Sequence, residues 1–306
     1  MADMLLRTQG LGKRYGEKYA LRDVDIHVRR GDIYGLIGRN GAGKTTLMKI
    51  VNRQIHQSAG SAFLNEVPIS DSASHDLHIG TLVEVPNLYP DGDARENLTY
   101  KRIVLGLPRG DDHSALIDLV GLGDAGRKKV KQYSLGMKQR LGIAMALLGD
   151  PELLMLDEPI NGMDPQGIAD IRQMLVRLNR EKGTTIIISS HILDELAKFA
   201  SVYGIINEGH LIREITRGQL EEENRADIEI VTDEAEKAAA LIAEKTGIAA
   251  EVAPDRRTMH IAQHIDQHKV ISRLLFDAGI YVEGFHVRHR TLEEYFMQLT
   301  GGGHGA

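Results

Sequence analysis

Eight consecutive residues, Gly38-Arg39-Asn40-Gly41-Ala42-Gly43-Lys44-Thr45, fit the spacing G-x-x-x-x-G-K-[ST], and each type has a task at a polyphosphate. The glycines let backbone N–H groups, with those of Arg39, Asn40 and Ala42, turn inward around phosphate oxygens. A helix that starts here adds its positive dipole end. Lys44 supplies a point charge for the terminal phosphates, the Thr45 hydroxyl a ligand for Mg²⁺, and Thr46 continues the cradle into the helix. The alternative, a glycine-rich turn that happens to carry Lys-Thr, is the weaker reading between a strand and a helix.

Further along, Leu153-Leu-Met-Leu-Asp157-Glu158-Pro159 is an apolar run ending in two acids. Successive strand residues point to opposite sides, so the two carboxylates can have different tasks. Asp157 is expected to hold Mg²⁺ through water and Glu158 to polarise an attacking water. His191 closes the next apolar run, Ile188-Ser-Ser-His191, at the sheet edge where ligands bind in such folds, and is expected to sense the terminal phosphate.

These groups need a layered α/β scaffold, and the first 220 residues alternate short β-rich runs with helical stretches. Ile33–Ile37, Leu153–Leu156 and Thr185–Ile188 read as buried strands of parallel type. A helical, charged insert is expected at about 86–140. A linker is expected near Glu221-Glu-Glu-Asn224, followed over 225–300 by the order βαββαβα, with strands at Asp227–Val231, Ala249–Val252, Thr258–Ile261 and Tyr281–Val287. That order predicts a small ferredoxin-like domain, and 301–306 a disordered tail.

The chain has 306 residues, a formal net charge of −6 and no Cys. The length implies two domains, or one large one with an appendage. Zero Cys excludes disulfides, thiolate zinc sites and a cysteine nucleophile. The N-terminus does not read as a signal peptide, and no apolar window reaches spanning length. Mild acidity argues against a nucleic-acid partner.

Between the cradle and the acids lies Tyr133-Ser134-Leu135-Gly136-Met137-Lys-Gln-Arg140. This segment resembles the LSGGQ signature of ABC ATPases. The motif order also fits that family: an aromatic loop at Tyr15, Walker A, a Q-loop, the signature, Walker B, the D-loop Asn161-Gly-Met-Asp164, and His191. The resemblance covers about residues 4–220. It implies ATP and Mg²⁺ as ligands, Glu158 and His191 as the catalytic pair, and a head-to-tail dimer sandwiching two ATP molecules. Each site would join the Walker elements of one chain to Ser134 and Gly136 of the other, with Tyr15 stacked on adenine. It further implies an exporter ATPase, cytoplasmic and held at the inner membrane face by a separate polytopic permease.

Two positions depart from the family pattern. Leu135 and Met137 replace Gly and Gln in the signature, while Ser134 and Gly136 remain. Glu84, in Leu82-Val83-Glu84-Val-Pro86, aligns with the usual Q-loop Gln; a carboxylate can still ligate Mg²⁺ but adds negative charge near the triphosphate. That Glu, with Pro-Asn-Leu-Tyr-Pro90 and Arg95-Glu-Asn-Leu98 after it, is similar to the ATPases of bacitracin-type and lantibiotic-immunity exporters, which implies antimicrobial-peptide or drug-like cargo. The competing reading is an ABC ATPase acting on ribosomes or DNA; the single set of motifs and the short, heptad-free span between Lys44 and Ser134 count against it. His260, His264 and His268 are read as surface histidines rather than a metal site, and Arg127, Lys128, Lys129 and Lys131 as a solvated basic face.

Overall fold

The computed structural model describes residues 3–70, 79–108, 113–125, 127–223, 227–262, 265–288 and 292–300. The chain divides into two compact units, Met1–Arg217 and Gly218–Ala306. The first opens with strands β1 (Met4–Tyr15), β2 (Lys18–Val24), β3 (His27–Arg29) and β4 (Ile33–Ile37), then helix α1 (Lys44–Val51) and strands β5 (Ala59–Leu64), β6 (Val67–Pro68) and β7 (Ile79–Leu82). Helices α2 (Ala94–Val104), α3 (Ser114–Leu119) and α4 (Leu135–Ala146) follow. The unit closes with β8 (Leu153–Asp157), α5 (Pro165–Lys182), β9 (Thr185–Ser190), α6 (Leu193–Ala197), β10 (Val202–Asn207) and β11 (His210–Thr216).

One sheet has the order β11-β10-β4-β9-β8-β7. All its pairings are parallel except β10 with β11. Every residue of β4, β8 and β9 is buried, as expected of parallel strands covered on both faces. A second, antiparallel sheet has the order β2-β1-β5-β6, with β3 also on β1. The core packs Leu5, Leu11 and Leu21 of that sheet with Leu47 and Met48 of α1 and with Leu36, Met155 and Ile187 of the parallel sheet.

Close packing leaves no room for a side chain where Tyr34 crosses β10. A Cβ on Gly204 would lie 2.1 Å from the Tyr34 hydroxyl oxygen. That buried hydroxyl donates to Glu214 at 2.8 Å, and burial beside this carboxylate holds its pKa well above the usual phenol range. Gly204→Ala is therefore expected to destabilise the unit by about 1–3 kcal/mol, the usual cost of overpacking. A lowered urea midpoint at unchanged slope would register it; an unchanged midpoint would contradict it.

Between β7 and β8, the segment expected to be helical over 86–140 is organised differently at both ends. Residues 86–93 form no helix, and α4 runs on to Ala146. The first helix waits for its cap: Asp93 accepts from the Glu96 N–H at 3.0 Å while Glu96 accepts from the Asp93 N–H at 2.8 Å. Helix α4 continues because Ile143, Ala144 and Ala146 are buried, so packing carries it past Arg140.

The second unit contains most of α7 (Arg217–Glu223), then β12 (Asp227–Val231), α8 (Ala235–Thr246), β13 (Glu251–Val252), β14 (Thr258–Ala262), α9 (His268–Asp277), β15 (Gly284–Arg288) and α10 (Leu292–Leu299). Its antiparallel sheet has the order β13-β14-β12-β15. Alternate residues Ile228, Ile230, Met259 and Ile261 pack against Ala238 and Ile242 of α8 and Ile271 and Leu275 of α9. The expected linker is corrected here: Glu221–Glu223 form the last turn of α7, where Leu220 is buried, because Glu is a good helix former. Asn224 lies outside the described residues. The strands expected from Ala249 and from Tyr281 start only at Glu251 and Gly284. His260 stands in β14 and His268 opens α9, so they share no helical face. His264 and the tail 301–306 lie outside the described residues.

Candidate functional site

Three neighbouring strands deliver the three motifs to one edge. The cradle follows β4, His191 follows β9, and Asp157 ends β8 with Glu158 just beyond it; these strands pair in the order β4-β9-β8. The carboxyl ends of parallel strands are where such sheets bind ligands.

The cradle is shaped by close backbone approach. A Cβ on Gly38 would meet the Ile206 carbonyl oxygen at 2.5 Å. Gly43 has φ +114° and would carry a Cβ 2.7 Å from the Ala20 oxygen, so only Gly fits. The Gly209 N–H donates to the Ala42 oxygen at 2.9 Å and pins the loop from behind. Arg39, Asn40 and Gly41 form the exposed rim, while Thr45 and Thr46 are partly buried in the first turn of α1.

Lys44 is only 5% exposed. Its ammonium donates to the Gly38 oxygen at 2.6 Å and the Arg39 oxygen at 3.3 Å, and stands 3.2 Å from Glu158 Oε1. The Thr45 hydroxyl donates to Asp157 Oδ2 at 2.6 Å. Glu158 Oε2 accepts from His191 Nδ1 at 2.7 Å, which leaves Nε2 as the ring nitrogen available to a ligand. Glu158 Oε1 is buried and accepts no hydrogen bond, its approach to Lys44 being an ion pair without hydrogen-bond alignment. A buried, unsatisfied carboxylate oxygen is costly and is suited to accept from a water or substrate proton.

The strand rule that placed Asp157 and Glu158 on opposite sides fails here. Asp157 is the last residue of β8, and Glu158 beyond it has φ +49°. That left-handed turn swings its side chain back toward Lys44, so both carboxylates serve one site. Sequence reasoning also passed over Ser189, which is fully buried. Its hydroxyl donates to Asp157 Oδ1 at 2.5 Å and accepts from the Glu158 N–H at 2.9 Å. Its position in an apolar strand two residues before the histidine was the available signal; its partner strand was not.

Removing that hydroxyl leaves a buried carboxylate oxygen and an N–H unsatisfied. Ser189→Ala is expected to destabilise by about 1–3 kcal/mol and, by loosening both acids, to slow the expected hydrolysis of a nucleotide in the cradle about tenfold, the equivalent of about 1.4 kcal/mol. Thermal unfolding and steady-state turnover measured on one preparation check this; parent values in both would refute it.

A family profile described as ABC transporter matches residues 21–161. The bacitracin transport ATP-binding protein BcrA of Bacillus licheniformis is 37% identical over 300 residues, covering 98% of each chain. The chain belongs to the ABC transporter family. The lantibiotic transport ATP-binding protein SrtF of Streptococcus pyogenes is 42% identical over 211 residues, covering 69% of this chain and 90% of that one. Among solved structures, a dimeric bacterial ABC transporter cassette superposes with a TM-score of 0.63 at 25% identity, covering 70% of this chain and 99% of that one. This ABC protein is thus a transporter ATPase subunit that binds and hydrolyses ATP, and the ribosome or DNA reading has no support from these relatives.

The remaining motifs of the ABC subunit have their own local contacts. Ser134 caps α4, accepting from the Met137 N–H at 3.2 Å. Leu135, 55% exposed, rests against Gly162 of the D-loop, where a Cβ would be 3.1 Å from Leu135 Cδ2. Met163 Cε would lie 3.0 Å from a Cβ on Gly136, so the signature and the D-loop pack on one another. An open cleft of about 510 Å³ is lined by Glu84, Pro86, Leu135, Lys138, Asp157 and Glu158, among others. Glu84 itself, at φ +67°, accepts from Lys49 at 2.5 Å. Tyr15 ends β1 with its ring half-exposed and Lys13 Nζ 5.0 Å from the ring centroid. No contact joins Tyr15, Ser134 or Gly136 to the cradle among the described contacts. The basic cluster is partly paired, Lys129 with Glu96 and Lys131 with Asp91. No helix among the described residues is long and apolar enough to cross a membrane.

Proposed function

We propose that this subunit drives an exporter of antimicrobial peptides or drug-like molecules, working on a separate polytopic permease at the inner membrane face. The observation that carries the proposal is the similarity to the bacitracin transport ATP-binding protein along nearly the whole of both chains. Glu84 at the Q-loop position supports the same subtype.

In this reading ATP enters the cradle of Gly38–Thr46, with Lys44 on its terminal phosphates and Tyr15 stacked on the adenine. Thr45, Asp157 and Glu84 would hold Mg²⁺. An oxygen-only donor set of this kind suits that ion, which keeps several waters and leans on substrate phosphates. When bound, Mg²⁺ offsets charge on the phosphates. Glu158 takes a proton from the attacking water at its unsatisfied Oε1, while His191, oriented through Nδ1, presents Nε2 toward the γ-phosphate. A second copy, arranged head to tail, would bring Ser134 and Gly136 to each site, and closure of the dimer would move the permease through the 86–140 region. No nucleic acid takes part.

The second unit, read as a ferredoxin-like domain over 225–300, is assigned a dimer-stabilising or regulatory role; the strand order β13-β14-β12-β15 with two helices on one face supports the fold reading. The test is affinity purification of the tagged full chain from detergent-solubilised membranes of its native host. A polytopic membrane protein should come down with it, and deleting the gene should lower resistance to a peptide antibiotic. Recovery of ribosomes or DNA instead would overturn the transport reading.

A further inference from the structure

The Glu84 carboxylate brings a charge to a place where the family pattern has a neutral amide, and the fold supplies a counter-charge from the cradle's own helix. Lys49 and Thr45 are four residues apart on α1, and residues so spaced lie one above the other on a helix face. Lys49 Nζ donates to Glu84 Oε1 at 2.5 Å. Three residues further along α1 and three residues earlier on the facing segment, Asn52 Nδ2 donates to Thr81 Oγ1 at 3.1 Å. The end of β7 therefore runs alongside α1, tied at two points. The Asn52–Thr81 tie is partly buried and belongs to the ordered strand. The Lys49–Glu84 tie lies beyond the strand, with side chains 28% and 64% exposed, on a loop that lines the open cleft. The upper tie is the one that can open.

We infer that Lys49 is a positioning residue for Glu84: it holds the carboxylate one helical turn from Thr45 and competes with the metal position for it. The inference rests on the reading of Glu84 as a metal-side group. It explains how a Glu is accommodated beside a triphosphate site: while Glu84 is paired with Lys49 its charge is offset, and it turns to the metal only when that interaction outweighs the ion pair. The loop from Glu84 to Pro90 would then register whether Glu84 is docked on α1 or released.

The test reads metal binding directly, in the full chain carrying Glu158→Gln to block turnover. Mn²⁺ replaces Mg²⁺, and its binding with ATP is followed by electron paramagnetic resonance. Metal-free nucleotide binding is followed with a fluorescent ATP analogue in EDTA. Glu84→Gln should weaken Mn²⁺ binding. Lys49→Ala should tighten Mn²⁺ binding about two- to fivefold, the range open to an exposed ion pair, and weaken metal-free nucleotide binding by a similar factor. Lys49→Arg should retain the parent values, and in the Lys49→Ala/Glu84→Gln double variant the Lys49 effect should vanish. If Glu84→Gln shifts Mn²⁺ binding and Lys49→Ala does not, the Lys49 inference is overturned alone. A Lys49 effect that persists without the carboxylate overturns it as well. If Glu84→Gln leaves Mn²⁺ binding unchanged, the metal-side reading of Glu84 falls first.

Discussion

Glu158→Gln is expected to cut ATP turnover about 10²- to 10⁴-fold, the range a positioned general base supplies, while leaving ATP binding intact. The substitution is nearly isosteric, so the turn at φ +49° and the approach of His191 Nδ1 at 2.7 Å can persist. What is lost is the basicity of a buried oxygen that has no hydrogen-bond donor of its own. Because the closed dimer reopens on hydrolysis in the proposed cycle, the variant should also accumulate as an ATP-bound dimer. Turnover assays and size-exclusion chromatography with and without ATP read the two consequences separately. Parent-level turnover would sink the assignment of Glu158 as the base; slow turnover without dimer accumulation would leave the base in place and remove the closure step.

Lys44→Ala should act at the earlier stage, binding. The ammonium is almost wholly buried, held by two loop carbonyls and an ion pair with Glu158. A charge-assisted hydrogen bond is worth about 1.5–3 kcal/mol, which converts to about 10- to 100-fold in ATP affinity. Loss of the cation also leaves Glu158 beside incoming phosphates without its ammonium partner, so the effect adds to the same side. Titration with a fluorescent ATP analogue gives the affinity, and circular dichroism checks that the variant is folded. Affinity within threefold of the parent in a folded variant would show that the terminal phosphates lie elsewhere.

Much of the site was legible because its chemistry is local in sequence. A phosphate cradle needs glycines, Lys and Thr within one turn. The β4, β8 and β9 runs were recognisable as buried parallel strands because they are apolar without alternation. The element order of the second unit was readable for a related reason: Ile228/Ile230 and Met259/Ile261 alternate cleanly between core and open faces. Element ends were less legible. Helix α4 outruns Arg140 because tertiary burial sustains it, and α7 absorbs a charge run that by composition alone reads as a linker.

The residue types and spacings, on their own, determined which groups can meet a nucleotide and which family pattern they follow, since both depend on neighbours along the chain. The tertiary structure alone decided how those groups meet one another. Strand order puts β9 between β4 and β8, so Ser189 bridges Asp157 and Glu158. A left-handed turn at Glu158 overrides the alternation that holds only inside a strand. And α1 lies alongside the end of β7, which gives Glu84 a partner in Lys49, 35 residues away in sequence. Pairings of that kind depend on which segments pack side by side, and the long-range burial that selects those neighbours leaves no mark on local spacing.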